Sequence, residues 1–171
     1  MSTFNIYSCS CIGKSSVKNS FENNDLIVVG KVLERKEVKI YHDTFSSRTL
    51  YNKYKDTLDK MYGSFEKYLT RTHTISSVLE FKIVITKSYK ETHLDTVYIR
   101  TGYGHGDCGF MFEIGREYLI YGENYTETIY TDFGTRTYEK TLSGTFGTNI
   151  CTRTKLLSEA EDETDILDQL K

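Results

Sequence analysis

The sequence predicts a mainly β protein with flanking helices, built as a closed antiparallel barrel. It contains five or more short segments with the apolar runs or alternation typical of strands, and it lacks the repeated strand–helix rhythm of βαβ folds. Fourteen tyrosines and no tryptophan agree with many strands. A chain of 171 residues is long enough to bury a core and fits one domain.

The first strand is predicted to follow a turn at Phe21–Asp25 and to continue from Leu26 through Val38 and Ile40. Gly30, in its middle, would permit a bulge or strong coiling. From Leu50 to Leu69 apolar residues recur at helical spacing instead. This predicts an amphipathic helical insertion near residues 50–70, with a possible interruption at Gly63.

The later elements are again mainly strands, with one helix at the end. Strands are predicted at Val78–Thr86, Thr96–Thr101, Glu117–Gly122, Thr128–Phe133, Arg136–Leu142 and Thr145–Cys151. The fourth and fifth of these form a hairpin around Gly134. A final helix near 158–170 is expected to begin at Ser158, with Glu161 completing a capping box. Its acidic first turn is expected to be solvated, whereas Ile166, Leu167 and Leu170 are expected to pack the helix against the rest of the domain.

The four cysteines are Cys9, Cys11, Cys108 and Cys151. A bond between the first two would be strained, which leaves two connectivities, each with loops of roughly 100 residues or more. Disulfides indicate an oxidising compartment. A four-cysteine zinc site in a reduced protein is the alternative, but only one closely spaced pair exists where zinc sites usually have two.

Several function classes lack support in the sequence. The net charge of −2 gives no reason to propose a nucleic-acid or membrane-surface partner, and no apolar run approaches the roughly 18 residues of a spanning helix.

The loop Gly102–Gly109 lacks the phosphate-binding pattern, so its glycines are attributed to backbone crowding beside Cys108. The histidines, which show no metal-binding spacing, are His42, His73, His93 and His105. Neither an enzyme nor a cofactor is predicted.

The N-terminus offers one chemical possibility. Residues 1–8 are interpreted as a signal-peptide remnant or a flexible tail, with the small residue Ser8 before Cys9. If a leader were removed there, the free amine and the carbonyl oxygen of Cys9 would form a five-membered chelate. Such a chelate fits the open coordination position of a catalytic zinc in a protease, with Ser10 entering the adjacent pocket. Lipid attachment at Cys9 is a competing interpretation that would prevent a disulfide there.

Four segments in order resemble the inhibitory domain of tissue inhibitors of metalloproteinases, within the netrin-like group. They are Cys9–Cys11, Phe21–Val32, Asp107–Phe110 with Glu117–Ile120, and Asn149–Cys151 leading into Leu157–Ser158. The resemblance implies an OB-like five-stranded barrel and the disulfides Cys9–Cys108 and Cys11–Cys151. It also implies zinc chelation by Cys9 and protease contacts from the following residues: Cys9, Ser10, Cys11, Gly106 and Asp107.

The chain departs from animal members of that family in three ways. Glu22 stands where they have a third cysteine, the second and smaller domain has no counterpart in this sequence, and the 50–69 insertion lengthens the first connection. A distant single-domain relative, residues 9–171, is therefore expected. The preferred hypothesis is a secreted, monomeric inhibitor of zinc metalloproteinases, extracellular or periplasmic. The alternative is a non-inhibitory netrin-like module that binds another extracellular protein; a single-strand nucleic-acid binder is disfavoured by the charge.

Overall fold

The computed structural model describes residues 11, 13–41, 44–72, 74–90, 92–104, 106–131 and 136–171. Its elements are α1 Val17–Asn23, β1 Leu26–Tyr41, α2 Thr44–Lys53, α3 Lys55–Tyr62, α4 Phe65–Thr72, β2 Thr74–Ser88, β3 Thr96–Thr101, β4 Glu117–Thr131, β5 Arg136–Gly147, β6 Lys155–Leu156, a 3-10 turn Leu157–Glu159 and α5 Glu161–Leu170. Within these ranges no helix has both the length and the apolar character needed to cross a membrane. The predicted class, mainly β with flanking helices, is confirmed.

The sheet closes on itself. Strands β1 to β5 are hydrogen-bonded in the order β1-β2-β3-β5-β4, and a further pairing of β1 with β4 completes a ring of five strands. The short strand β6 pairs antiparallel with β4, where Leu156 lies opposite Tyr118. The ring therefore places the residues just before β6, which include Cys151, beside β4.

The prediction that every strand pair is antiparallel is wrong for β3 and β5. β1–β4 and β2–β3 are antiparallel, but β3 runs parallel to β5, with Ile99 opposite Phe146. The reason is geometric: strand directions cannot alternate at every step around a closed ring that has an odd number of members. At least one parallel pair must occur among five strands.

Two apolar clusters account for the continuous apolar runs in β1 and β4. Leu26 and Val28 belong to a cluster to which all five ring strands contribute, so it lies within the ring. The alternate residues Ile27 and Val29 pack instead in a second cluster that contains Val17 of α1 and residues of α5. Because successive side chains point to opposite faces of a strand, a strand covered on both faces loses the apolar–polar alternation.

Gly30 marks the closest approach of β1 to β2. A Cβ atom at this position would lie 2.4 Å from Cγ2 of Ile83 and 3.0 Å from the carbonyl oxygen of Val84. No side chain fits this space, so glycine is required for packing.

The chain forms two compact units. One consists of Met1–Lys36, Leu79–Tyr125 and Leu142–Lys171, and the other of Glu37–Val78 and Thr126–Thr141. The first contains the ring pairings given above, together with α1 and α5. The second contains helices α2 to α4, which replace the single amphipathic helix predicted for 50–69.

The helical insertion is divided at two places and held by aromatic contacts. Gly63 ends α3 in the left-handed region, at φ 80°, which glycine adopts without strain. The Tyr51 ring lies 5.2 Å from that of Phe65 and 5.3 Å from that of Tyr68, centroid to centroid. The Tyr51 hydroxyl donates to the Asp59 carboxylate; this bond, with burial and the charge of Asp59, raises the pKa of Tyr51 to about 12. These contacts form the core of the insertion.

Both ends of the first unit differ from the sequence prediction. The segment interpreted as a turn at Phe21–Asp25 begins inside helix α1, whose N-cap, Ser16, accepts a hydrogen bond from the Asn19 N–H. The capping box at Ser158 is wrong, because α5 begins at Glu161 and its N-cap, Ala160, has no capping side chain. Of the predicted docking residues, Leu167 is buried but Ile166 is exposed.

Candidate functional site

A disulfide links the N-terminal segment covalently to the chain after β5. Cys11 and Cys151 form a disulfide with their Cα atoms 5.3 Å apart, across a sequence separation of 140. This is the pairing that the family resemblance implies for Cys11. Cys108 is also disulfide-bonded. Its predicted partner Cys9, like Ser10, lies outside the described residues.

The two loops that carry Cys108 and Cys151 are hydrogen-bonded to each other. The backbone N–H of Ile150 donates to the carbonyl oxygen of Cys108 over 2.9 Å. The turn around Cys151 is closed by Asn149, whose side-chain oxygen accepts from the Cys151 N–H at 2.8 Å. The structure therefore brings Cys11, Cys108 and Cys151 into one region of the surface.

The loop between β3 and β4 is organised around the Asp107 carboxylate. That carboxylate accepts hydrogen bonds from the backbone N–H groups of Tyr103 at 2.6 Å, Gly104 at 2.8 Å and Gly109 at 3.1 Å. These bonds, the one from Tyr103 foremost, hold the pKa of Asp107 below its ordinary value. Asp107, expected as a protease contact, thus also shapes its own loop, and Gly106 beside it is exposed.

Crowding explains Gly102 and Gly109 of this loop, as predicted, whereas Gly104 and Gly106 adopt positive φ angles of 82° and 102°. A Cβ atom on Gly109 would lie 2.1 Å from the carbonyl carbon of Gly102, so the two backbones touch at the base of the loop. Just beyond it, the Phe110 N–H donates to the Thr101 hydroxyl over 2.7 Å. The Phe110 ring also packs edge-on against Tyr118 of β4. The loop is therefore anchored to the ring where it leaves β3.

Metal-binding geometry is not found in the part of the chain that the structure describes. Within it, no group of three or more His, Cys, Asp or Glu side chains is arranged to hold a metal ion. His93 is exposed, while the other three histidines lie outside the described residues.

Comparison with known protein families shows the family of this chain. The model of the tissue inhibitor of metalloproteinase (TIMP) family matches residues 7–133, about three quarters of the chain. The chain belongs to the TIMP family. The matched residues include Cys9–Cys11 and the loop around Cys108, whereas the segment Asn149–Cys151 lies beyond them. No curated protein sequence matches the chain.

One feature of this TIMP-family chain was not predicted from its sequence: a buried ionic cluster near Cys151. Glu163 of α5 is 5% exposed, although the acidic first turn was expected to face solvent. Its carboxylate binds the Arg153 guanidinium through two bonds, of 2.9 Å to Nε and 2.6 Å to a terminal nitrogen, and it also accepts from Lys155. The Tyr121 hydroxyl donates to the same carboxylate over 3.1 Å.

The charges in this cluster compensate for burial. Burial by itself raises the pKa of Glu163, but the hydrogen bonds and charges of Arg153 and Lys155 outweigh it and the net pKa is lowered. One signal could have indicated the buried position, since Glu163 lies four residues before Leu167 and hence on the same helix face. The partner Arg153 had no such signal, because it comes from a different element.

Proposed function

We propose that this protein is a secreted inhibitor of zinc metalloproteinases, and that it acts through a mature N-terminal Cys9. The observation that carries the proposal is the match to the TIMP family over residues 7–133, which includes Cys9. Members of that family are inhibitors and not enzymes. The partner is accordingly a zinc metalloproteinase, and the inhibitor itself needs no cofactor.

The proposed mechanism is chelation of the protease zinc. A catalytic zinc has three protein ligands and one open position, normally filled by water. The neutral α-amine and the carbonyl oxygen of Cys9 would displace that water, and Ser10 would enter the specificity pocket. A free α-amine has a pKa of about 7.7–8.0, so a substantial fraction is neutral near pH 7.5 and ready to bind. The mechanism requires a mature chain that begins at Cys9.

The surroundings of Cys11 support this role. The disulfide Cys11–Cys151 holds the chain two residues after Cys9, which reduces the ordering entropy lost when a protease binds. Two exposed apolar side chains, Met111 and Ile150, lie in the segments that follow Cys108 and precede Cys151. We infer that they border the contact with the enzyme, next to Gly106 and Asp107.

The proposal also has consequences for the type of barrel, the domain organisation and the compartment in which the protein acts. We infer that the ring of five strands is an OB-like barrel and that residues 9–171 form one netrin-like domain that acts as a monomer. A disulfide between residues 140 apart is maintained in oxidising compartments, which supports an extracellular or periplasmic location.

A second candidate function is a netrin-like module that binds an extracellular protein without inhibiting it. Two observations favour it: Glu22 occupies the position of a family cysteine, and a charged residue, Asp107, lies in the proposed contact loop. The same surface would then bind a partner that has no zinc.

The test is an inhibition titration with oxidised protein that begins at Cys9. We expect loss of activity of a zinc metalloproteinase catalytic domain at one-to-one stoichiometry and no effect on a serine protease, which has no zinc. Binding to the catalytic domain without loss of activity, or no binding at all, would favour the non-inhibitory module.

A further inference from the structure

The N-terminal segment is attached at two points to a single turn of the chain. Cys151 holds Cys11 through the disulfide, and Arg153, two residues later, donates from its other terminal nitrogen to the carbonyl oxygen of Ser15 over 2.5 Å. Between the two attached residues, Gly13 has a φ of 62°, so the chain bends there. On its other side the segment continues into α1, whose N-cap is Ser16, and the Ser15 hydroxyl is hydrogen-bonded to that of Ser20. The bond from Arg153 therefore acts on the short stretch between the disulfide and α1, where it adds an attachment to the turn that carries Cys151.

Arg153 is well suited to act as the second attachment because its guanidinium cannot swing away. Two of its nitrogens are occupied by the Glu163 carboxylate in a bidentate pair, and its side chain is only 17% exposed. The third nitrogen then points in a fixed direction, toward Ser15. A planar guanidinium with several fixed donors serves two acceptors at once, which a lysine ammonium on a flexible stem does poorly.

The turn that carries both attachments is itself tied to the ring. The Thr148 hydroxyl donates to the carbonyl oxygen of Tyr121 in β4 over 2.8 Å, and the Tyr121 N–H donates to the Thr154 hydroxyl over 3.0 Å. Glu163 is held in turn by Tyr121 and Lys155. A continuous set of bonds therefore runs from β4 and α5 through Arg153 to Ser15.

We propose that Arg153 is a positioning residue that fixes residues 13–15, between the disulfide and α1, relative to the ring. The inference rests on the proposed function in one respect: a fixed segment presents Cys9 and Ser10 to the protease in a single direction. Arg153 acts through preorganisation, because a segment that is already ordered in the free inhibitor loses less entropy on binding. Arg153 itself need not touch the enzyme.

The chain offers a matched control in Lys155. Arg153 and Lys155 both pair with Glu163, but the Lys155 ammonium donates to the carboxylate, while Arg153 reaches Ser15 as well. Lys155→Met therefore weakens the cluster and leaves the bond to Ser15. Arg153→Lys keeps a positive charge for Glu163 but lacks the planar fork needed to serve both acceptors, and Arg153→Met removes both bonds.

The first measurement is the backbone ¹⁵N order parameter of residues 13–15 in the free protein. We expect about 0.8 in the unaltered protein and in Lys155→Met, and below about 0.6 in both Arg153 variants, the values of rigid and flexible backbone respectively. Order parameters in β4 should stay unchanged in all four proteins. Residues 13–15 that stay rigid in both Arg153 variants would overturn the inference.

The second measurement is the inhibition constant of the same proteins. We expect it to rise about tenfold in both Arg153 variants, equivalent to about 1.4 kcal/mol, and to stay within about twofold in Lys155→Met. A segment that loosens while the inhibition constant stays the same would overturn the role in presenting Cys9. If the unaltered protein does not inhibit, the proposed function fails, and the order parameters alone decide whether Arg153 fixes the segment.

Discussion

One alanine added before a mature Cys9 is expected to weaken inhibition by at least about 100-fold, or about 2.7 kcal/mol. The added residue converts the α-amine of Cys9 into an amide. The amide nitrogen has its lone pair delocalised into the carbonyl group and does not ligate zinc at neutral pH. The added residue also occupies the space into which the zinc site must fit. The measurement is the inhibition constant against a zinc metalloproteinase catalytic domain.

The control for this experiment is an alanine added after Lys171, which changes the length of the protein equally but leaves Cys9 untouched. We expect that variant to inhibit like the unaltered protein and both variants to have the same melting temperature. If the N-terminally extended protein still inhibits fully, Cys9 is not the zinc ligand.

Replacing Cys11 and Cys151 together by serine is expected to destabilise the domain strongly. The disulfide spans a separation of 140 residues, but with the proposed Cys9–Cys108 bridge in place it closes a much shorter loop, for which chain-entropy estimates give about 4 kcal/mol. For a protein of this size, that corresponds to a fall of roughly 8–16 °C in melting temperature. The double replacement avoids an unpaired thiol that could form a wrong disulfide. Thermal unfolding followed by circular dichroism measures the change.

A fall of less than about 3 °C, or about 1 kcal/mol, would contradict a stabilising role for this bridge. The double variant also bears on function, because it removes the covalent attachment of Cys11 to the turn at Cys151. We therefore expect it to inhibit more weakly even at temperatures where it remains folded. Arg153→Met, which retains the bridge, serves as the comparison.

The strands were predictable to the extent that their burial was visible in the sequence. β3 was predicted with its observed bounds, Thr96–Thr101, because a short segment of β-branched and aromatic residues between two turns is typical of a strand and of no other element. Glu117–Gly122 and Thr128–Phe133 were predicted as separate strands, whereas β4 is continuous from Glu117 to Thr131. Residues 123–127, between the two predicted strands, carry no apolar pattern, and only pairing with neighbouring strands makes them extended.

The helices show the opposite limitation. α1 buries only Val17 and Ser20, so its apolar periodicity is too weak to reveal a helix. The insertion was predicted as helical from its strong periodicity, but not as three helices, because the break near Tyr54 has no glycine or proline to mark it. Local propensity alone does not determine where such a helix ends.

One contact of the candidate site, the Cys11–Cys151 disulfide, was predictable because cysteines that pair bring distant parts of the chain together. The pairing of Cys11 with Cys151 followed from the family resemblance, while spacing alone left two connectivities open. The cluster of Arg153 and Glu163 was not predictable, because it joins residues from separate elements whose contact exists only in the folded chain. The hydrogen bonds that the Asp107 carboxylate accepts within its own loop were not predicted either, because the backbone conformation of a loop cannot be read from the sequence.

The most direct test of zinc chelation is the visible absorption spectrum of a cobalt(II)-substituted metalloproteinase titrated with protein that begins at Cys9. Cobalt(II) absorption reports the ligands and geometry of the metal. Replacement of the bound water by an amine and a carbonyl oxygen should therefore change the spectrum, with an end point at one equivalent. The N-terminally extended protein should leave it unchanged. An unchanged spectrum with the Cys9 form, under conditions where the complex is shown to form, would contradict chelation by this protein.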